Sequence, residues 1–376
     1  MSLPVVDPDQ YQAQLDAKRE RISAQFARFE PPRLEVFASP VSHYRMRAEF
    51  RLWHDGDDVY YVMFEADAND PKQKRNVRVD QYPVASHRIN ELMQRLIDEI
   101  RDNTVLRRKL FQVEFLTTLS GEALISLIYH RQLDEAWQQQ ALELQARLGA
   151  SIIGRARKQR IVLERDHVFE RLDVDGHSFI YQQVENSFTQ PNAEVAQHML
   201  CWARDVVRPE SRGVIKAEGG DLVELYCGNG NFTIALSEHF PRVLATEISR
   251  TSVASAQVNL AENNIDNAVI ARMSSEEFSA ALAGESAGRR VSALELDGYD
   301  FSTVLVDPPR AGLDAKSCEE IAKYANIVYI SCNPDTLAAN LELLSRTHRI
   351  VRFALFDQFP YTDHCECGVF LQARNN

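Results

Sequence analysis

Two short apolar runs end in residues that can do chemistry. The first is Thr303-Val304-Leu305-Val306, followed by Asp307-Pro308-Pro309-Arg310. The second is Ile327-Val328-Tyr329-Ile330-Ser331, followed by Cys332-Asn333-Pro334. β-Branched runs of this length, each stopped by proline, predict two buried strands. In an open α/β sheet, ligands collect at the carboxyl ends of strands, so Asp307 and Cys332 are expected to face one crevice. Asn333 and Pro334 suit the N-cap and first residue of a helix through Leu337, Leu341 and Leu344. The partial positive charge at a helix N-terminus favours a thiolate. That help matters, because a thiol of pKa about 8.5 is only a few per cent ionised near neutral pH. Position alone also allows Cys332 to be a small buried hydrophobe at a strand end. The Asn-Pro that follows it and the Asp-Pro-Pro strand before it favour a nucleophile.

A second constellation lies upstream. The strand Leu222–Tyr226 leads into Cys227-Gly228-Asn229-Gly230-Asn231-Phe232 and a helix from Thr233. Glycines in a strand-turn-helix let the backbone approach a ligand at the helix start. The next strand, Arg242 to Glu247, ends in an acid 19 residues past Gly228. From there a carboxylate hydrogen-bonds ribose hydroxyls. Thr233 stands where a dinucleotide fingerprint has its third glycine, which favours a nucleoside without a pyrophosphate. S-adenosylmethionine fits: it brings a ribose for Glu247, an adenine, and a sulfonium cation that acids favour. Near the C-terminus, Val351–Phe356 and Gly368–Leu371 predict an antiparallel edge to the same sheet. The loop between them reaches back over the crevice and carries two candidate proton acceptors, His364 and Glu366.

These groups combine into one reaction. C5 of a uracil is too weak a nucleophile to attack a sulfonium. A thiolate that adds at C6 makes C5 nucleophilic; after methyl transfer a base removes the C5 proton and the thiolate leaves. The reaction needs one cysteine, one base and one methyl donor. Asp307 lies between cofactor and nucleophile, placed to hold either ligand. A base inside folded RNA must first be flipped out, at a cost of a few kcal/mol.

The elements that must position these groups divide the chain in two. With 376 residues it is long enough for two or three domains. The net charge is −12, but residues 1–180 hold 26 of the 42 lysines and arginines against 28 acids. Residues 181–376 hold 16 against 26. Any nucleic-acid footprint is therefore expected on the first half. That half reads as α+β and antiparallel. Tyr11, Leu15, Ile22 and Phe26 predict an N-terminal helix. Tyr44–Trp53 alternates, with Arg45, Arg47, Arg51 and Trp53 on one face, and pairs with Val59–Phe64 across a turn at Gly56. Further basic clusters are Lys72, Lys74, Arg75 and Arg78; Arg107, Arg108 and Lys109; and Arg155, Arg157, Lys158 and Arg160. Helices are expected at Ser86–Ile100 and Asp134–Leu148, with a hairpin between them, and a polar excursion at Ser279–Tyr299. In the second half a helix through Val195, Met199, Trp202 and Val206 precedes a Gly-rich, charged loop, Pro209–Gly220. All six cysteines fall in that half, which fits a reducing compartment rather than a disulfide framework. No run of 18 apolar residues and no basic-then-apolar leader occurs, so a soluble cytoplasmic protein is expected.

The chain resembles the uracil-5 RNA methyltransferases. The resemblance rests on Ser42-His43-Tyr44-Arg45-Met46-Arg47, Gln183–Gln190, Leu225–Phe232, Asp307-Pro308-Pro309-Arg310, Ser331-Cys332-Asn333-Pro334 and the terminal His364-x-Glu366. It implies a Rossmann-like S-adenosylmethionine-dependent methyltransferase catalytic domain over 181–376, preceded by an α+β RNA-binding region over 1–180. It implies that Cys332 is the nucleophile and Glu366 the base, with Gln190, Tyr226, Asn231, Glu247 and Asp307 contacting S-adenosylmethionine. The ribosomal-RNA members carry an iron–sulfur cysteine cluster and usually an N-terminal β-barrel. This chain has no cysteine before Cys201 and begins with a helix. The resemblance is therefore to the tRNA branch. It implies 5-methyluridine at position 54 of the tRNA T-loop, action on the tRNA-like part of tmRNA, no iron–sulfur cluster, and no obligate protein partner. Three other readings compete. An amino methyltransferase shares Asp-Pro-Pro but has an aromatic where Arg310 stands and no use for Cys332. A non-catalytic RNA-binding module would not need Cys332 at all. An NAD-type oxidoreductase is disfavoured by the incomplete glycine fingerprint.

Overall fold

The computed structural model describes residues 5–66, 74–208, 220–284 and 294–374. Lys72, most of the Pro209–Gly220 loop and the middle of the Ser279–Tyr299 excursion lie outside them. The chain forms two compact units, but not by a single break near 180. Residues 10–39, 172–182 and 194–376 make one unit; 1–9, 40–171 and 183–193 make the other. The N-terminal helix thus belongs with the C-terminal half of the chain, because its apolar face is buried there.

That helix, Tyr11–Phe26, is followed by a three-residue strand, β1 (Glu35–Phe37). The other unit then supplies β2 (Arg47–Asp55), β3 (Asp58–Ala66), β4 (Lys74–Arg78), β5 (Leu110–Thr117), β6 (Ala123–Tyr129), β7 (Ser151–Ala156) and β8 (Gln159–Val162). They form one sheet in the order β4-β3-β2-β5-β6-β7-β8. Tyr44, Met46, Ala48, Phe50 and Leu52 are all buried, as alternation requires. The sheet is not wholly antiparallel: β6 and β7 pair in parallel, joined by the helix Glu135–Leu148. A parallel pair needs such a crossover. Asp134 caps that helix by accepting from the Trp137 amide at 2.9 Å, and Ser86 caps His87–Arg101 by accepting from Ile89 at 3.1 Å. Leu92, Leu96, Trp137 and Leu144 from these helices close the core over the sheet.

Two further strands, β9 (His167–Val174) and β10 (His177–Val184), form a hairpin that leads to the helix Ala193–Val207. The last strands are β11 (Asp221–Leu225), β12 (Val243–Glu247), β13 (Ala268–Arg272), β14 (Phe301–Val306), β15 (Asn326–Ser331), β16 (His348–Phe356) and β17 (Glu366–Ala373). With β1 they form an eight-stranded sheet in the order β1-β16-β17-β15-β14-β11-β12-β13. Counted from β11, the core order is that of a doubly wound sheet, with its switch point between β11 and β14. The sequence places the last hairpin at an antiparallel edge. Instead β17 enters between β15 and β16, antiparallel to both, and the edge is β1, parallel to β16. Internal placement explains the composition of β17, which is buried from Glu366 to Gln372. Ile22 and Phe26 join the core of this sheet, and the Phe26 and Phe353 rings lie 4.9 Å apart. Burial of each such ring stabilises by roughly 1.5–3 kcal/mol. Among the described residues no helix is long and apolar enough to cross a membrane.

Candidate active site

The register of the parallel strands aligns the chemistry. Leu225 pairs with Thr246 on one side and with Val306 on the other, while Val306 pairs with Tyr329. One step further along the chain lie Tyr226 and Asp307, and at the end of β12 lies Glu247. Cys332 follows Ser331, the end of β15. Across the antiparallel pair Ser331 faces Cys367, so the next step sets Cys332 beside Glu366. Five predicted site residues therefore share the carboxyl edge of one sheet.

The glycine turn is built as its sequence predicts. Gly228 and Gly230 have φ of +57° and +83°, which glycine adopts without strain. Tyr226, between β11 and the turn, has φ of +66°, a conformation costing a non-glycine residue about 1–3 kcal/mol. Its hydroxyl lies 2.7 Å from Ser275 Oγ, which ties the strained residue to the helix Ser275–Leu282 after β13. Glu247 accepts from the Gly228 amide at 3.0 Å and from the Ser249 amide at 2.7 Å. Each oxygen keeps lone pairs for further donors. Asn231 offers a different signal: its Nδ2 is shielded from solvent and donates to none of the described residues. A buried donor without a partner costs about 1–3 kcal/mol, so it points to a ligand acceptor. A Cβ at Gly228 would meet nothing within 4 Å, so the cradle has open space. The donor set, the cradle and the acid at β12 fit an adenosyl amino-acid cofactor.

Asp307 is half-buried and its carboxyl receives no hydrogen bond from the described residues; burial pushes its pKa up to about 7. Glu366 is 6% exposed, and burial followed by the Asp307 charge raises it well above the usual carboxylate range. It is the first residue of β17, not a loop residue, so its backbone is held by the sheet. His364 remains on the loop, where its Nδ1 lies 3.4 Å from an Arg310 guanidinium nitrogen. Burial and then Arg310 lower its pKa.

Cys332 is half-buried, outside the packed core. Asn333 caps the helix Pro334–Leu344 by accepting from the Asp335 amide at 3.1 Å. The expected thiolate does not follow. Burial, then Glu366 and Asp307, push the thiol up to about 11, and Arg310 opposes only weakly. Nearby carboxyls and lost solvation outweigh the helix N-terminus. Gln190 lies in the other unit, within 183–193, and is half-buried.

Two residues escaped the sequence reading. Glu224 is buried in β11 beneath the glycine turn and accepts from Thr233 Oγ1. Burial first, then neighbouring acids, push it up to about 8 despite that hydrogen bond. An acid inside the apolar run Leu222–Leu225 was the available signal. Ile248, directly after Glu247, is 66% exposed and offers a bare apolar face beside that carboxylate.

The doubly wound order with a reversed strand, and the carboxylates aligned along its carboxyl edge, define a Rossmann-like methyltransferase. The crystal structure of a Pyrococcus abyssi tRNA (uracil-54, C5)-methyltransferase in complex with S-adenosyl-L-homocysteine shares the fold. It matches with a TM-score of 0.70 and 22% identity, over 96% of this chain and 83% of that one. The family model for tRNA (Uracil-5-)-methyltransferase matches residues 10–374, and the chain belongs to that family. It is 71% identical over 374 residues to a tRNA/tmRNA (uracil-C(5))-methyltransferase of Chromohalobacter salexigens, covering 100% of this chain and 98% of the relative. A protein of the same description from Vibrio parahaemolyticus is 54% identical over 376 residues, with 98% of each covered.

Proposed function

We propose that this protein methylates C5 of uridine 54 in the tRNA T-loop, and the matching uridine of tmRNA, through a covalent Cys332–C6 adduct. The observation that carries the reading is the register that sets Cys332 beside Glu366, with Asp307 on the neighbouring strand end. The Cys332 thiol releases its proton to solvent, the resulting thiolate adds to C6, and the C5–C6 π electrons move toward C5. The bound S-adenosylmethionine supplies the methyl group for C5 and a positive charge in an acid-lined crevice. Ionised Glu366 then takes the C5 proton; the C–H electron pair forms the C5–C6 double bond, and the C6–S bond breaks to return the thiolate. A proton acceptor raised by burial is a stronger base once ionised.

Glu247 would hold the ribose, Ile248 would lie against the adenine, and Asn231 would donate to the amino-acid carboxylate of the bound cofactor. Tyr226 and Asp307 would complete the cofactor contacts of this unit; the family resemblance alone assigns Gln190 to the cofactor. For the RNA, the other unit presents an exposed sheet face. Arg51 lies over the Phe111 ring at 5.1 Å, that ring stacks on His130 at 3.7 Å, and Trp53 is 47% exposed. Phe188, in the family segment Gln183–Gln190, is 71% exposed. Aromatic and guanidinium planes of this kind stack on unpaired bases. Several expected phosphate contacts are otherwise engaged. Arg155 and Arg160 are held by Glu185, Arg47 donates to the Ser187 carbonyl at 2.6 Å, and Arg107 donates to the Asp57 carbonyl at 2.9 Å.

The test is a Glu366→Gln variant given unmodified tRNA and methyl-labelled S-adenosylmethionine. Label should accumulate in a denaturant-stable protein–RNA adduct mapped to uridine 54. Normal product release would remove Glu366 from the role, and His364→Ala would then be examined. Label on a purine would refute the reaction.

A further inference from the structure

We propose that the N-terminal helix Tyr11–Phe26 is the clamp that sets the position of Glu366, with Lys18 as its positioning residue. The inference rests on the reading of Glu366 as the base. Tyr11, Leu15, Lys18, Ile22 and Phe26 form the buried stripe of this helix, and Lys18 is the one charge in it. A lysine at a core position requires a partner. Lys18 Nζ donates to Asp357 Oδ1 at 2.7 Å and to the Phe359 carbonyl at 2.8 Å. Asp357 is fully buried and also accepts from Tyr11 Oη at 3.1 Å and Gln14 Nε2 at 2.9 Å.

The contacts continue turn by turn. The Tyr361 amide donates to Gln14 Oε1 at 3.3 Å, and the Tyr11 and Tyr361 rings meet edge to face at 6.0 Å. Arg21 donates to the Asp363 carbonyl at 2.8 Å and lies 3.1 Å from Cys365 Sγ. Four helix side chains, on successive turns, thus hold alternate residues from 357 to 365. That segment carries His364 and runs directly into Glu366. At its far end β17 sets Glu366 by backbone pairing, but the entry of the chain into β17 is set by the helix. A shift of about 1 Å in a reacting group can cost 100-fold in rate. Replacing one member of a buried pair also leaves a charge unpaired, so stability and positioning must be separated in the test.

The experiment uses the full-length chain, unmodified tRNA and methyl-labelled S-adenosylmethionine. Lys18→Met keeps the apolar stem and removes the ammonium; Lys18→Arg keeps the charge. Arg21→Ala loosens the same segment from an exposed position, where substitutions cost little stability. The proton-removal step should slow. Lys18→Met should lower kcat about tenfold or more per folded molecule, leave KM within about twofold, and raise the methyl-labelled adduct above the wild-type level. Lys18→Arg should recover most of kcat, and Arg21→Ala should show a smaller rise in adduct. Wild-type adduct levels in Lys18→Met, with activity following only the folded fraction, would overturn the clamp. If Lys18→Met does not fold, Arg21→Ala decides, and no rise in its adduct overturns the proposal. Glu366→Gln runs in parallel. Failure of that variant to trap adduct defeats the parent reading, whereas trapping there without effect in the helix variants defeats only the clamp.

Discussion

The sharpest consequence of the site concerns the charge state of Cys332. Its thiol is pushed up to about 11 by burial and by the Glu366 and Asp307 carboxyls. At pH 7.5 roughly 3 thiols in 10,000 are then ionised, against about one in ten for a thiol of ordinary pKa 8.5. Thiolate is the form that iodoacetamide alkylates, so Cys332 should react about 300-fold more slowly than a free cysteine at that pH. Its rate should rise about tenfold per pH unit through pH 9.5. A unit positive charge within about 4–8 Å, at an effective dielectric near 20, contributes about 2–4 kcal/mol toward the thiolate. That moves the inflection down by roughly 1.5–3 pH units. S-adenosylmethionine should therefore accelerate alkylation at pH 7.5. S-adenosylhomocysteine has nearly the same shape without the sulfonium, and should not. The assay is the rate of label appearing in the Cys332 peptide by mass spectrometry, with and without each nucleoside. An inflection below pH 8.5 in the free protein, or equal rates with the two nucleosides, would refute the electrostatic argument.

The same acids make a stability prediction. Asp307 has a folded pKa of about 7, above its usual 3.8, so its contribution to stability is present below about pH 4 and is lost as pH rises through 7. Asp307→Asn should stabilise the free protein against urea by roughly 1–3 kcal/mol at pH 8 and by nothing near pH 4, while abolishing methyl transfer. A constant difference at both pH values would contradict the assignment. Asn231→Ala removes the unpaired Nδ2 donor; a hydrogen bond to a charged acceptor contributes about 1.5–3 kcal/mol, so S-adenosylmethionine should bind roughly 10- to 150-fold more weakly by calorimetry. Unchanged affinity would mean that this donor serves something else.

What the sequence by itself determined is what short stretches encode. The glycine turn, the acid after the second strand and the Asn333 cap depend on neighbours within a few residues, and each stands as expected. The alternation of Tyr44 to Leu52 did as well, because a strand facing one core must alternate. Tertiary structure alone decided the rest. The insertion of β17 between β15 and β16, which sets Glu366 beside Cys332, depends on pairing between strands distant in sequence. The pairing of Arg155 and Arg160 with Glu185 turned a basic cluster into a structural one. The burial of Lys18 depends on Asp357, more than 300 residues away, which no local pattern places against it. The thiol at 332 followed the same rule: its helix cap was legible, but its charge state is a sum over burial and carboxyls that only the folded sheet brings together.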